Sequence, residues 1–291
     1  MNKLRPTTLK NVIGQKRAVD LLTIISSSAK HRKDSIPHIL FSGPPGLGKT
    51  TLAIALANHI DRNITILNGG NIQEIKDILA ILISIERNSI VFIDEVHRIP
   101  IKVEEFLYPV MEDFRADLPD LTMEIQPFTM IGATTLPGRL SRPFFDRFVY
   151  NIELDFYSLD ELVELLRANA KKLNICIPDG VLRVLAKVSR GTPRIANNIL
   201  ILLRDYHYGT KESITISNTR KILGSLGIDL DGLTYNDRKY LNILRKAGKP
   251  LGISTIAGMM GMSASTIEES IEPYLLRLGK IGKCNKGRYY V

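Results

Sequence analysis

The sequence predicts an α/β fold: a parallel sheet with flanking helices, then an all-α stretch, then a small C-terminal domain of three helical segments and a hairpin. Three observations predict it. Gly43-Pro44-Pro45-Gly46-Leu47-Gly48-Lys49-Thr50-Thr51 lies between a short apolar run and a segment with helical spacing. Ser89-Ile90-Val91-Phe92-Ile93 and Phe128-Thr129-Met130-Ile131-Gly132-Ala133 are largely apolar runs that suit strands buried on both faces of a parallel sheet. After Tyr157 the composition shifts and the pattern becomes helical as far as about Asp205.

The elements follow in order. Leu4-Arg5-Pro6 and Val12-Ile13 open the chain, and Gly14-Gln15 reads as a turn into a helix from Lys16 to His31, with His31-Arg32-Lys33-Asp34 as its solvated end. Ile36–Ser42 reads as the first strand. The helix after the glycines runs from Thr51 to Ile60, with Leu52, Ala55, Leu56 and Ile60 on one side. Ile64–Leu67 is the next strand, Gly69-Gly70 turns the chain, and Gln73–Glu86 forms a helix carrying Ile75, Ile78, Leu79, Leu82 and Ile85. Lys102–Met111 is helical, with Val103, Phe106, Leu107 and Val110 sharing a face. Pro119–Gln126 is polar and reads as turns.

Ser158-Leu159-Asp160-Glu161 has the capping-box pattern. Helices are expected over Leu159–Leu173, Asp179–Ser189 and Thr192–Tyr206, with Pro193 suited to a first helical turn. Gly224–Gly232 reads as a linker. Three more helical segments are expected at Asn236–Lys246, Gly252–Met260 and Ser263–Leu278. Ser254 is expected to start the second, Ser265 and Glu268 to cap the third, and Pro273 to kink or split it. Lys280–Cys284 and Arg288–Val291 read as strands joined by a turn at Asn285-Lys286-Gly287. Three helices and a hairpin outline a winged-helix DNA-binding module. The expected domains are residues 1–156, 157–224 and 225–291.

Composition narrows the classes. A chain of 291 residues with net charge +9 and a pI near 9.5 points to a polyanionic partner. The longest apolar stretch, Ile78–Ile85, is too short to span a membrane, and Met1–Lys10 has no signal-peptide core, which favours the cytoplasm. Cys176 and Cys284 match no metal spacing and are expected to be free thiols.

The chemistry centres on Gly43–Thr50, which fits G-x-x-x-x-G-K-[ST], the phosphate-binding loop. Glycines such as Gly46 and Gly48 let backbone N–H groups turn toward phosphate oxygens, and the helix that follows points its positive end at the same anion. Lys49 can reach the β- and γ-phosphates, and the Thr50 hydroxyl can ligate Mg²⁺. Asp94-Glu95 ends a buried strand, where open α/β sheets bind ligands. Asp94 can hold Mg²⁺ through water and Glu95 can polarise the attacking water; the alternative is that the pair caps the next helix. His97 is expected to position its neighbours or to pack. Thr134-Thr135 could sense the γ-phosphate or simply close a strand. Arg147 could stabilise charge on a transferring phosphoryl group, or pair with Asp146 or Asp155. Arg194 near a helix start runs against the helix dipole, and a phosphate partner would explain it. From Arg277 to Val291 the bases Arg277, Lys280, Lys283, Lys286 and Arg288 have no acid among them, which suits phosphate contacts or a solvated face.

With these residues in place, the chain resembles the RuvB family of bacterial Holliday junction branch-migration ATPases, of the AAA+ class. The resemblance runs from Leu4-Arg5-Pro6 to Lys286-Gly287-Arg288. It rests on GPPGLGKTT at Gly43–Thr51, FIDEVHR at Phe92–Arg98, LYPVMEDF at Leu107–Phe114, GATT at Gly132–Thr135, Asp146-Arg147-Phe148, GTPRIAN at Gly191–Asn197 and EPYL at Glu272–Leu275. It implies an AAA+ P-loop domain, a helical lid and a winged-helix domain. It also implies ATP contacts from Leu4, Arg5, Gly46, Gly48, Lys49, Thr50 and Thr51, with Thr50 and Asp94 on Mg²⁺, Glu95 on the water and Thr135 as first sensor. Arg147 would be the finger reaching a neighbour's ATP, Tyr157 would lie by the nucleotide, and Arg194 would be the second sensor. Glu112, Asp113 and Phe114 would border the site between subunits. Lys283, Lys286 and Arg288 would touch the DNA backbone.

The implied setting is DNA recombination, repair and the SOS response. The implied assembly is a hexameric ring around duplex DNA at a four-way junction, held by RuvA, with RuvC as a further candidate partner. The segment between Phe114 and Phe128, where the family grips RuvA, is shorter here, Val149 replaces the family's usual Gly, and Lys283 and Lys286 stand where many members have Arg. Two rival readings keep the ATPase core: an initiator or loader that uses ATP as a binding switch, and a clamp-loader-like or chaperone ATPase acting on protein.

Overall fold

A computed structural model describes residues 2–291. The described residues form two compact units. One runs to Leu165 and takes in Thr192–Arg194; the other comprises Leu166–Gly191 and Ile195–Val291.

The first unit contains, in chain order, α1 (Lys16–Arg32), β1 (Ile39–Ser42), α2 (Lys49–Ile60), β2 (Ile64–Asn68), α3 (Ile75–Ser84), β3 (Ile90–Asp94), α4 (Ile101–Glu112), β4 (Arg115–Leu118), β5 (Leu121–Glu124), β6 (Thr129–Thr134), α5 (Arg142–Asp146) and β7 (Tyr150–Glu153). Five strands form one sheet in the order β2-β3-β6-β1-β7, every pairing parallel. The apolar runs are buried on both faces because alternate side chains feed two separate cores. Ile39, Phe41, Ile90, Phe92, Ile131 and Ala133 pack with α1 and α2, while Leu40, Val91, Ile93 and Met130 pack with α3 and α4. Burying both faces is what the continuous apolar sequence of β3 requires.

Two elements here depart from the sequence reading. Tyr150–Glu153 joins β1 as an edge strand, although Ile152 is its sole fully buried residue. Pro119–Gln126, expected as turns, carries an antiparallel hairpin: β4 pairs with β5 from Arg115↔Glu124 to Leu118↔Leu121, leaving Pro119-Asp120 as the turn. The polar residues are cross-strand partners there. Arg115 stands opposite Glu124, Thr122 Oγ1 donates across to Asp117 Oδ1 at 2.9 Å, and Arg115 pairs along its own strand with Asp117 at 3.0 Å.

His38 ties the sheet to the end of α4. The Met130 N–H donates to its Nδ1 at 2.8 Å and its Nε2 lies 2.9 Å from the Met111 carbonyl, so Nε2 carries the proton and the ring is neutral. Burial holds its pKa below the ordinary 6.5, with the Met111 bond opposing. The unfolded chain therefore takes up a proton that the folded state refuses. The stability is intact above the unfolded pKa and is lost as pH falls toward the lower folded value, at up to about 1.4 kcal/mol per pH unit. Thermal melts at pH 7 and pH 5 should show a smaller drop in Tm for His38→Gln than for the parent; equal drops would contradict this role.

α6 (Leu159–Lys172) follows β7, and its expected capping box is present: Glu161 N–H donates to Ser158 Oγ at 3.2 Å and Ser158 N–H to Glu161 Oε2 at 2.8 Å. The second unit continues with α7 (Asp179–Val188), α8 (Pro193–Thr210), α9 (Ile216–Ser225), α10 (Tyr235–Ala247), α11 (Ile253–Met260), α12 (Ala264–Ser270), α13 (Glu272–Arg277), β8 (Ile281–Cys284) and β9 (Gly287–Tyr290). α9 is an element the sequence reading left out, and Thr215 caps it by accepting from Asn218 N–H. Pro273 splits the third C-terminal helix as expected, separating α12 from α13. The caps differ from expectation. Ser263, not Ser265, accepts from Thr266 N–H at 3.1 Å, and α11 starts after Gly252 with Ser254 already inside it. Tyr240, Leu241, Leu244, Ile256, Ile267, Ile271, Leu275 and Ile281 form the core beneath the β8–β9 hairpin. Cys176 and Cys284 are exposed, unpaired thiols. Among the described residues no helix is long and apolar enough to cross a membrane.

Candidate functional site

The site lies at the carboxyl ends of β1, β3 and β6. The register pairs Ser42 with Thr134 and Ile93 with Gly132, so the loops leaving these three strands emerge side by side. The loop after β1 turns through Gly43, Gly46 and Gly48 at φ of 126°, 80° and 109°, conformations that cost side-chain-bearing residues dearly. A Cβ on Gly46 would lie 2.8 Å from Thr192 Cγ2 and 3.1 Å from Arg194 Cβ, and Arg194 N–H donates to the Gly46 carbonyl at 3.4 Å. The loop is thus closed over by the segment that carries Arg194.

Lys49, the first residue of α2, is buried, and its ammonium donates to the Gly43 and Pro44 carbonyls at 2.7 and 3.1 Å. Burial lowers its pKa most, the Glu95 and Asp94 carboxylates oppose that, and Arg194 adds to it. A cation held in a desolvated glycine cradle, beside a second cation and a helix N-terminus, is an arrangement that an anion relieves. A phosphate group fits these residues. Thr50 Oγ1 donates to Asp94 Oδ2 at 3.3 Å, which sets a hydroxyl beside a carboxylate, a donor set suited to a hard cation.

Glu95 takes a left-handed backbone, φ 52°, and its N–H donates to Asp94 Oδ1 at 3.1 Å. Its carboxylate meets Thr135 Oγ1, which donates at 3.4 Å, and His97 Nδ1, also 3.4 Å away. Asp94-Glu95 does not cap α4, which starts after Pro100. Leu4 is buried, whereas Arg5 is exposed. Thr51 is half-buried in the first turn of α2. Tyr157 packs against Gly14, a Cβ on Gly48 would sit 4.0 Å from its hydroxyl, and burial raises its pKa. Lys49, Thr50, Asp94, Glu95, Thr135 and Arg194 are therefore brought together.

Arg147 is not part of that group. Its guanidinium lies 4.0 Å over the Tyr108 ring, donates to Glu112 Oε2 at 3.3 Å and to the Pro143 carbonyl at 2.7 Å, and leaves Nε without a hydrogen-bond partner. Its ion pair is with Glu112 and not with Asp155 or with Asp146, which pairs with Arg142 at 2.9 Å. Asp113 is exposed at the end of α4, and Phe114 follows at φ 53° with its ring edge-on to Phe128. Tyr108 and Glu104 were not singled out from sequence. Ser141 Oγ donates to Glu104 Oε2 at 2.6 Å, Tyr108 Oη sits 3.1 Å from Ser141 Oγ, and burial raises the Glu104 pKa. At helical spacing both residues read as ordinary positions of an amphipathic helix.

The hairpin departs most from expectation. Lys283 Nζ lies 2.5 Å from Glu272 Oε2, and Arg288 Nε donates to Glu272 Oε1 at 2.8 Å while its other nitrogen meets Glu268 Oε1 at 2.5 Å. Tyr240 Oη donates to the same Glu272 Oε1 at 2.9 Å. Burial pushes the Glu272 carboxyl up, but these donors outweigh it and hold the group below its usual range. The Arg277–Val291 sequence has no acid, yet the acids of α12 and α13 reach its bases through space. Arg277 is also engaged, donating to the Arg190 carbonyl at 2.5 Å and stacking on Tyr274. Lys286 is exposed at the turn.

Comparison with known proteins decides the family. Residues 4–154 match the Holliday junction DNA helicase RuvB P-loop domain, 157–229 the RuvB AAA lid domain and 230–290 the RuvB C-terminal winged helix domain. The chain belongs to the RuvB family. Among RuvB relatives, the Holliday junction branch migration complex subunit RuvB of Neorickettsia sennetsu is 40% identical, the match covering 98% of this chain and 89% of the relative. That of Pseudothermotoga lettingae is 42% identical over 98% and 86%. The solved Thermotoga maritima RuvB Holliday junction branch migration motor superposes with a TM-score of 0.90 at 39% identity, covering 99% of this chain and 96% of that one. The AAA+ P-loop sheet, lid and winged helix expected from sequence are thus the domains of a RuvB protein.

Proposed function

We propose that this chain is the ATP-driven motor of Holliday junction branch migration in recombination and repair, with domains at residues 1–156, 157–224 and 225–291. The observation that carries the reading is the convergence of Lys49, Thr50, Asp94, Glu95, Thr135 and Arg194 at one edge of the sheet, in a chain whose relatives are branch-migration subunits. Gly46, Gly48, Lys49 and Thr51 bind the phosphates of ATP, and Leu4, Arg5 and Tyr157 flank the nucleotide. Thr50 and Asp94 are the groups that would hold Mg²⁺, which when bound supplies charge neutralisation on the phosphates. Glu95 takes the proton of the attacking water as its oxygen bonds to the γ-phosphorus and the bond to the bridging oxygen of ADP breaks. Arg194 and Thr135 steady the charge on the transferring group.

Arg147 serves the site of a neighbouring copy, across a seam bordered by Glu112, Asp113 and Phe114. Its exclusion from its own chain's cluster supports this. A hexameric ring on duplex DNA in the cytoplasm, loaded by RuvA at the junction and followed by RuvC, completes the reading. The β4–β5 hairpin is the segment offered to RuvA, and Lys286 leads the contact with the DNA backbone. ATP-dependent dissociation of a synthetic four-way junction, with and without RuvA, is the test. Strand separation that needs ATP hydrolysis is expected. Sequence-specific duplex binding with no DNA-stimulated hydrolysis would instead mark an ATP-switch initiator.

A further inference from the structure

His97 lies in a short 3₁₀ turn just past the catalytic carboxylate, with a side chain only 6% exposed. Its Nδ1 stands 2.9 Å from Thr134 Oγ1 and 3.4 Å from Glu95 Oε2. Thr134 is fully buried, and its hydroxyl already accepts from Leu136 N–H at 3.0 Å. A bare Nδ1 would aim its lone pair at a carboxylate oxygen, a repulsive pairing; with hydrogen on Nδ1 the ring donates to Thr134 Oγ1 at 2.9 Å and keeps that nitrogen 3.4 Å from Glu95 Oε2. One ring atom thus joins the tip of β6 to the carboxylate that ends β3.

Glu95 needs such a support. Its backbone sits in the left-handed region, and behind it Gly69 presses against its carbonyl so closely that a Cβ there would overlap it. The main chain is therefore fixed, and the carboxylate is left to be aimed by its hydrogen bonds. Thr135 and His97 both meet Oε2, and His97 is itself held by Thr134.

We propose that His97 is a positioning residue for hydrolysis: its Nδ1–H aims the Glu95 carboxylate and links it to the Thr134 hydroxyl, so that water activation and phosphate sensing move together. The proposal rests on the assignment of Glu95 as the base. It requires a hydrogen-bonding atom at the Nδ1 position, which separates it from a packing role. Asparagine places its amide at Nδ1, glutamine reaches only toward Nε2, and phenylalanine keeps the ring alone.

The test is steady-state ATP hydrolysis and nucleotide binding by the DNA-bound full chain for His97→Asn, His97→Gln and His97→Phe, beside Glu95→Gln. His97→Phe and His97→Gln should lose about 10- to 100-fold in kcat with KM and nucleotide affinity unchanged, and His97→Asn should recover most of that loss. Turnover by His97→Phe equal to the parent's overturns the proposal, as does an Asn variant no better than Phe while Glu95→Gln is inactive. Full turnover by Glu95→Gln overturns the assignment of Glu95, and the role of His97 with it. Should the Phe variant fail to bind nucleotide or to fold, the Asn–Gln contrast decides alone.

Discussion

Glu95→Gln is expected to bind ATP as tightly as the parent and to hydrolyse it at least about 10²- to 10⁴-fold more slowly. The replacement keeps the shape of the side chain and an oxygen for the Thr135 hydroxyl, which donates to Glu95 at 3.4 Å. It removes the basicity. Lys49, the three glycines and Arg194, the proposed phosphate cradle, make no hydrogen bond to the altered atoms, so binding should persist. Phosphate release measured beside the binding of a fluorescent ATP analogue checks both halves. Turnover within twofold of the parent would remove Glu95 from the chemistry.

The second large effect is in the hairpin. Arg288→Ala is expected to destabilise the winged domain by about 3 kcal/mol while leaving the salt dependence of DNA binding nearly unchanged. Glu272 is wholly buried and Arg288 only 15% exposed, so removing the arginine strips a buried carboxylate of a principal partner. Lys283 and Tyr240 remain, which places the cost at the lower end for a broken buried pair. A side chain already held by Glu268 and Glu272 releases few counterions on meeting a phosphate. Lys286→Ala should do the reverse, with no change in Tm and a slope of log affinity against log salt reduced by about one. Thermal melts and salt titrations of duplex binding separate the two. A large fall in slope for Arg288→Ala with unchanged Tm would mean that Glu272 yields this arginine to DNA.

These cases mark how far the sequence could be read. The glycine loop, Asp94-Glu95 and the runs of β3 and β6 were legible because each has a local cause: φ above zero needs glycine, and burial on both faces needs a continuous apolar run. β7 was not, because an edge strand with Ile152 as its one buried residue leaves no periodic trace. The β4–β5 hairpin hid behind its polar cross-strand pairs, and α9 behind a weakly apolar segment that starts on a threonine cap. Glu272 and the bases of the hairpin meet only through the fold, so a count of charges along Arg277–Val291 could not find them. The same holds for Arg147 and Glu112, which are remote in sequence but bonded in space. For His97 the sequence left positioning and packing open, and its contacts with Thr134 and Glu95 were not legible in it.

We propose that the hydrolytic site is divided between copies of the chain, and subunit mixing tests that most directly. Arg147→Ala keeps its own Glu95; Glu95→Gln keeps an intact Arg147. Each variant alone should be almost silent in ATP hydrolysis on duplex DNA, and an equimolar mixture should regain a clear fraction of the parent's rate, because some seams then pair an intact carboxylate with an intact arginine. A mixture as silent as its components, or full activity from Arg147→Ala alone, would contradict a shared site.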